Sequence, residues 1–310
     1  MLKGKRSSIR NFRLFFGLRR FQLDSIENKV VFITGGGSGI GLALGRRLAE
    51  RKAKVMLADL DLQRLDQAKK LLSGQGLVVE TTYCDVADCE SVKEAALETV
   101  DRFGKVHVLV NNAGVTLAGK PGEIPLNDWR WIVDINLMGV VYGVETFVPL
   151  IQAHGEGGHI INTASMAGHL AAPAMSPYNA TKFAVVGYSE TIKQDLEKDN
   201  IGVSVLCPAW VRTDIHNTGR NKPSVSFGNS LDKLGQQGDA ASGLWKQVAT
   251  AIENGLDPNL VAEWTIESLL ENRFYIFTHP EMREMMAQRF HLLDTEFTTL
   301  EQDKRFLKRN

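Results

Sequence analysis

The sequence predicts an α/β fold: a single domain built on a doubly wound parallel sheet with helices on both faces. Three observations carry this. From Lys29 onward, short runs rich in Val and Ile alternate with longer amphipathic runs. A glycine-rich turn, TGGGSGIG at 34–41, separates the first apolar run from the first amphipathic one. No Pro/Gly/Ser-rich linker and no internal repeat divides the 310 residues. Strands and helices alternating at this spacing make βαβ units, and these close into parallel sheets covered on both faces.

The elements follow in order. Residues 1–28 form a basic N-terminal arm, with Lys3, Lys5, Arg6, Arg10, Arg13, Arg19 and Arg20 interleaved with Phe12, Leu14, Phe15, Phe16, Leu18 and Phe21. Such a pattern suits a membrane surface or an organelle address. It also suits a frayed leader or an arm lying on a neighbouring subunit, the favoured reading, because no apolar signal core is present. The main α/β domain spans 29–280. Its strands are predicted at Val30–Thr34, Lys54–Ala58, Leu77–Tyr83, Val106–Asn111, His159–Thr163, Val203–Cys207 and Phe274–Phe277. Its helices are predicted at Ile40–Arg51, Asp61–Leu72, Cys89–Phe103, Leu126–Ala153, Pro177–Asp199 and Asn259–Glu271. Ser176 is the expected N-cap of the fifth helix, with Pro177 at its first position and Gly202 past its end. The stretch 209–256 is long and glycine-dotted and follows the C-terminal end of a strand, where open α/β sheets bind ligands. It reads as a mobile substrate lid. Residues 281–310 read as a C-terminal helical extension.

Composition narrows the function. Lys plus Arg balance Asp plus Glu at 36 each, so no general basic surface calls for nucleic acid. Cys84, Cys89 and Cys207 are odd in number and lack metal-ligand spacing, which fits a reducing, cytoplasmic setting and no disulfide framework. No uninterrupted run reaches the ~18 apolar residues of a membrane span. The seven histidines show no ligand spacing, and no metal is expected. His169 is the one to watch, since it lies between Ser165 and Tyr178.

The turn at 34–41 suits a dinucleotide. Gly35, Gly39 and Gly41 permit a tight turn and close approach to a pyrophosphate, while Ser38 and Ile40 open a helix whose N–H groups and dipole favour anions. Asp59 closes the second strand, 24 residues beyond Gly35. An acid there accepts hydrogen bonds from ribose hydroxyls and repels a 2′-phosphate. Leu60, Asp61 and Leu62 follow, with no base directly after the acid, and Ser38 stands where a base could have met that phosphate. NAD is therefore expected ahead of NADP.

Taken together, TGGGSGIG at 34–41, CDV at 84–86, NNAG at 111–114, Asn136, Ser165, YNATK at 178–182 and PAWVRT at 208–213 resemble the short-chain dehydrogenase/reductase family from about Lys29 to Phe277. The resemblance implies a Rossmann-like fold. It implies that Asp85 and Val86 meet the adenine, Asn112 lines the ribose region, and Pro208, Val211 and Thr213 border the nicotinamide. Ala209 departs from the family's usual glycine, and its methyl group faces the nicotinamide side. FYIFTHPEMREMM at 274–286 looks like a bacterial subgroup that includes enzymes oxidising benzylic alcohols of lignin-derived aryl ethers.

Tyr178 and Lys182 stand four apart and share a helix face. An ammonium beside a phenol lowers the phenol's pKa, so Tyr178 can exchange a proton with an alcohol or ketone while hydride moves to or from the nicotinamide. The resemblance adds Ser165 as a hydrogen-bond partner of the substrate oxygen, Lys182 as a ribose ligand, and Asn136 as holder of a water that links Lys182 to solvent. Met166, Leu170, Ala171, Ala172, Pro173, Met175 and Trp210 make an apolar surrounding, so the expected substrate is a small hydrophobic secondary alcohol or ketone. Two other readings stand beside this one: an NADP-dependent ketone reductase and a non-catalytic nicotinamide-binding regulator. The family's habit and the apolar Phe183, Val186, Ile192 and Leu196 imply a homodimer or homotetramer through the helices Leu126–Ala153 and Pro177–Asp199.

Overall fold

The computed structural model describes residues 23–217, 240–303 and 305. Most of the basic arm, 1–22, and the middle of the predicted lid, 218–239, lie outside the described residues. Seven parallel strands form one sheet in the order β3-β2-β1-β4-β5-β6-β7. They are β1 (Val30–Thr34), β2 (Lys54–Asp59), β3 (Val79–Tyr83), β4 (Val108–Asn111), β5 (Gly158–Thr163), β6 (Ile201–Cys207) and β7 (Tyr275–Phe277). The helices are α1 (Gly39–Glu50), α2 (Leu62–Ser73), α3 (Cys89–Phe103), α4 (Leu126–Val133), α5 (Gly139–Ala153), α6 (Ser176–Leu196), α7 (Ala240–Glu253), α8 (Pro258–Leu270) and α9 (Arg283–Glu301).

Because side chains alternate across a strand, β1 feeds two apolar layers. Val31 and Ile33 pack with Leu44 and Leu48 of α1, Leu72 of α2 and Ile266 of α8. Val30 and Phe32 pack with Val92 of α3, Phe147 of α5 and Ile192 of α6. Phe32 and Phe147 bring their rings to 4.5 Å. Helix starts follow local chemistry. Asp61 caps α2 by accepting from the Gln63 and Arg64 N–H groups, Asp88 caps α3, and Asp257 caps α8 ahead of Pro258.

The structure departs from the sequence reading in several places. Strand β4 starts at Val108 and β6 at Ile201, where Val106 and Val203 were expected, and α7 puts a helix at Ala240–Glu253 within the stretch read as a lid. The predicted third strand begins two residues late, because the Leu77 N–H closes α2 by bonding to the Leu72 carbonyl. Ser176 is the first residue of α6 and Met175 its N-cap, with no side-chain cap bond. The predicted helix Leu126–Ala153 contains a π turn at Asp134–Met138 that joins α4 to α5. An 18-residue window of this helix reaches a mean hydropathy of 1.4, membrane-like by length and composition, and 39% of it is buried, against α3 and β4 among others. Finally, Leu23 and Ile26 are buried in the core and the Asn28 N–H bonds to the Lys52 carbonyl. The globular body thus includes Leu23, well before the expected boundary at 29.

Candidate active site

A cleft of about 390 Å3 opens at the C-terminal ends of the strands, where the sheet order reverses between β1 and β4. It gathers Gly35, Ser38, Gly39, Ile40, Asp59, Asp85, Val86, Asn112, Ser165, Tyr178, Lys182, Pro208, Val211 and Thr213. Of the catalytic and cofactor-binding residues expected at the site, Gly41 and Asn136 do not line it.

The turn after β1 shows why glycine is needed. Gly35 adopts φ +63°. A Cβ on Gly41 would lie 2.2 Å from the Gly35 carbonyl oxygen, so Gly41 sits behind the turn and lets α1 approach it. Asn112 ties β4 to the same turn, its Nδ2 donating to the Thr34 carbonyl at 3.0 Å. At the start of α1, Ser38 makes no side-chain cap bond, which leaves the first-turn N–H groups facing the cleft. Asp59 accepts from the Gly37 N–H at 3.0 Å and from the Asp61 N–H at 3.0 Å, bonds that hold its carboxylate at the cleft. Asp85 accepts from the Ala87 N–H, and Val86 packs against Gly139.

Farther along, Ser165 sits at the end of β5. Its hydroxyl donates to the Pro208 carbonyl at 3.1 Å and accepts from the Ala167 N–H at 3.1 Å, and it lies near the Tyr178 hydroxyl. Lys182 Nζ donates to the Thr163 carbonyl at 2.8 Å and lies 5.7 Å from the Tyr178 ring centre. Burial pushes the Lys182 ammonium down to about 8. The expected lowering of the Tyr178 pKa is not what the structure shows. Burial of the phenol raises it, and the Ser165 hydroxyl offsets only part of that rise.

Asn136 lies in the π turn, buried, with both side-chain atoms engaged. Oδ1 accepts from the Val115 N–H at 2.8 Å and Nδ2 donates to the Val115 carbonyl at 2.9 Å. Gly114 separates it from Lys182: a Cβ there would stand 3.4 Å from Asn136 Oδ1 and 3.6 Å from Lys182 Nζ.

Several cleft residues escaped the sequence reading. Arg64 lines the cofactor end, its guanidinium 2.8 Å from Asp214 and 3.4 Å from Asp61. A base was looked for directly after Asp59 and at Ser38, whereas the capped first turn of α2 brings Arg64 back towards Asp59. Val248 and Ile252 of α7, with Met282 and Met285 of the C-terminal segment, complete the apolar end. His279 braces this wall, accepting from the Ala209 N–H at Nδ1 and donating from Nε2 to the Trp210 carbonyl. Pro173 and His169 do not line the cleft. His169 packs among Cys207, Tyr275 and Phe277.

Among the described residues, one cluster outside the cleft has metal-like composition: His107, His154 and Glu156. Its donor atoms are committed. His107 Nδ1 accepts from the Val30 N–H, both His154 nitrogens meet backbone groups, and Glu156 meets Lys29, Lys105 and His107.

Residues 29–224 match the family model described as short chain dehydrogenase. The chain is 33% identical over 277 residues to a CLA biosynthesis dehydrogenase/reductase of Lactiplantibacillus plantarum, covering 88% of this chain and 96% of that protein. It is 31% identical over 282 residues to a C alpha-dehydrogenase of a Sphingobium species, covering 91% of this chain and 90% of that one. A crystal structure of a short chain dehydrogenase/reductase from Burkholderia phymatum in complex with NAD is similar with a TM-score of 0.83 at 36% identity, over 88% of this chain and 96% of that one. With the ordered motifs gathered into one cleft of a seven-stranded parallel sheet, the chain belongs to the short-chain dehydrogenase/reductase family and is an oxidoreductase using a nicotinamide cofactor.

Proposed function

We propose that this protein interconverts a hydrophobic secondary alcohol and its ketone with NAD, Tyr178 serving as general acid and base. One observation carries the reading: the cleft is divided by polarity. Its acidic side chains and Arg64 line the glycine-turn side, namely Asp59, Asp61, Asp85 and Asp214. The side around Ser165 and Tyr178 is walled by Met166, Leu170, Met175, Trp210, Ile252 and Met285. A dinucleotide with polar hydroxyls and phosphates suits the first half, and an uncharged apolar substrate suits the second.

The residues present fit the cofactor. The open N-terminus of α1 suits a pyrophosphate, and the carboxylate of Asp59 suits a ribose with free hydroxyls. When bound, the nicotinamide supplies hydride exchange. The protein does the rest. Ser165 Oγ and Tyr178 Oη converge on the substrate oxygen and hold it. During oxidation Tyr178 Oη receives the hydroxyl proton; during reduction it returns one. Lys182, fixed by the Thr163 carbonyl, places a positive charge beside the phenol that develops negative charge. The gap at Gly114 between Asn136 and Lys182 is the site for a water that passes the proton onward.

A second reading, NADP dependence, is favoured by Arg64 alone. Its guanidinium is already held by Asp214 and Asp61, and Asp59 opposes a 2′-phosphate. Among substrates, a benzylic alcohol is our first choice, supported by the C alpha-dehydrogenase relative and the apolar wall. Intact Ser165, Tyr178 and Lys182 speak against a pure regulator. A panel of aliphatic, alicyclic and benzylic alcohols, assayed with NAD and with NADP by absorbance at 340 nm, tests the proposal. Turnover of benzylic or other apolar secondary alcohols with NAD is expected. Activity confined to charged substrates would overturn it.

A further inference from the structure

Beyond Met286, α9 leaves the body of the protein. Residues Phe290, Leu293, Phe297 and Leu300 are 56%, 46%, 70% and 56% exposed, and every residue of 290–301 is exposed. With Met286 these side chains are spaced by 4, 3, 4 and 3 residues, so they form one stripe with heptad a and d positions. The part of α9 beyond Met286, 287–301, is near the length of about 12–15 residues at which a lone helix is marginal in water, and a row of large apolar side chains standing in solvent marks an interaction surface.

The charges beside the stripe say what covers it. Arg289 and Glu296 occupy successive g positions; Ala287, Asp294 and Glu301 occupy e positions. In an antiparallel pair g faces g, so each Arg289 meets Glu296 of the other copy, and no like charges face each other. In a parallel pair g faces e, so Arg289 meets Asp294 but Glu296 meets Glu301 in repulsion. We infer that α9 pairs antiparallel with α9 of a second copy of this chain. Phe290 then packs against Leu293 of the other copy and Met286 against Phe297. Arg289, whose guanidinium lies 5.4 Å from the Phe183 ring, bridges the pair to α6. Because α9 begins beside Met282 and Met285 of the cleft wall, pairing also steadies the substrate end.

Cysteine trapping in the full-length protein tests this. Met286→Cys and Phe297→Cys proteins are mixed under reducing conditions, then oxidised with glutathione disulfide. A mixed disulfide dimer is expected. Either variant alone should give none, because like positions in the antiparallel pair stand about 16 Å apart along the axis. Light scattering on Arg289→Glu should show the assembly reduced by one step, and Arg289→Glu with Glu296→Arg should restore it. Disulfides within the single-variant samples would mean parallel pairing, and absence of any disulfide with an unmoved mass would mean no pairing; each overturns the inference. Disulfides that form only after residues 1–22 are deleted would make this chain's own arm the occupant, and would overturn it equally.

Discussion

Tyr178 is the residue on which the proposed chemistry turns. Tyr178→Phe keeps the ring among its neighbours and removes the proton. Turnover should fall by about 10²–10⁴-fold, while NADH binding, read by fluorescence, persists; full activity would refute the role. Lys182 supplies a pH signature. Its ammonium, brought to about 8 by burial, is charged below that pH and neutral above it. Ketone reduction should therefore lose rate as pH rises through about 8, and a flat profile across that range would remove Lys182 from the relay. Asp59→Ala removes a charged acceptor worth about 1.5–3 kcal/mol. The KM for NAD should rise about tenfold or more and the preference over NADP shrink; an unchanged ratio would pass the selection to other groups. At this scale the sequence was most legible for residue types with obligatory spacing, such as Tyr178 with Lys182 or the glycines of 34–41. It was least legible for Arg64 and His279, whose roles come from where α2 and the chain after β7 return to the cleft.

At the scale of elements, the alternation of apolar runs exposed the strands because five of them are buried along nearly their whole length. The π turn at Asp134–Met138 left no mark in the pattern, since one widened turn barely disturbs a 3.6-residue period. Burial within β5 has its own measurable effect. His159 is enclosed between strands, bonds to Ser204 at 2.8 Å, and is pushed down to about 3 by desolvation. In the unfolded chain the ring protonates near pH 6.5. Between pH 6.5 and about 3 the unfolded state takes up a proton that the folded state refuses. Stability therefore declines as pH is lowered through that window, by about 1.4 kcal/mol per unit. His159→Gln should flatten the slope of unfolding free energy against pH, measured in urea; an undiminished slope would assign acid sensitivity elsewhere, for example to His107, whose burial also lowers its pKa.

For the whole molecule, one cleft and one sheet organise nearly everything that the motifs announced. The N-terminal boundary is the exception. Charge marked residues 1–28 as an appendage, yet Leu23 and Ile26 are core residues, and two apolar side chains in a charged context give too little periodicity to be placed. Truncations that begin at Leu23 and at Ile26 separate the contribution of Leu23. Deleting 1–25 removes Leu23 and costs about 1.5–3 kcal/mol; equal melting of the two truncations would contradict its burial. The assembly expected through Leu126–Ala153 (α4 to α5) and Pro177–Asp199 (α6) needs grounds other than the apolar residues of α6. Val186, Ile192 and Leu196 are spent inside their own chain, and Phe183 is met by Arg289.

The ion pair between Arg64 and Asp214 joins α2 to the segment that follows β6, and Thr213 beside it rests against Gly39 of the glycine turn. We propose that this pair straps a dinucleotide lying along that turn and must open for it to leave, while the substrate leaves by the apolar end. The steady-state expectation is a compulsory order, coenzyme on first and off last. NADH should then inhibit competitively against NAD and the ketone product non-competitively, and Asp214→Asn should blur that distinction by letting coenzyme escape at will.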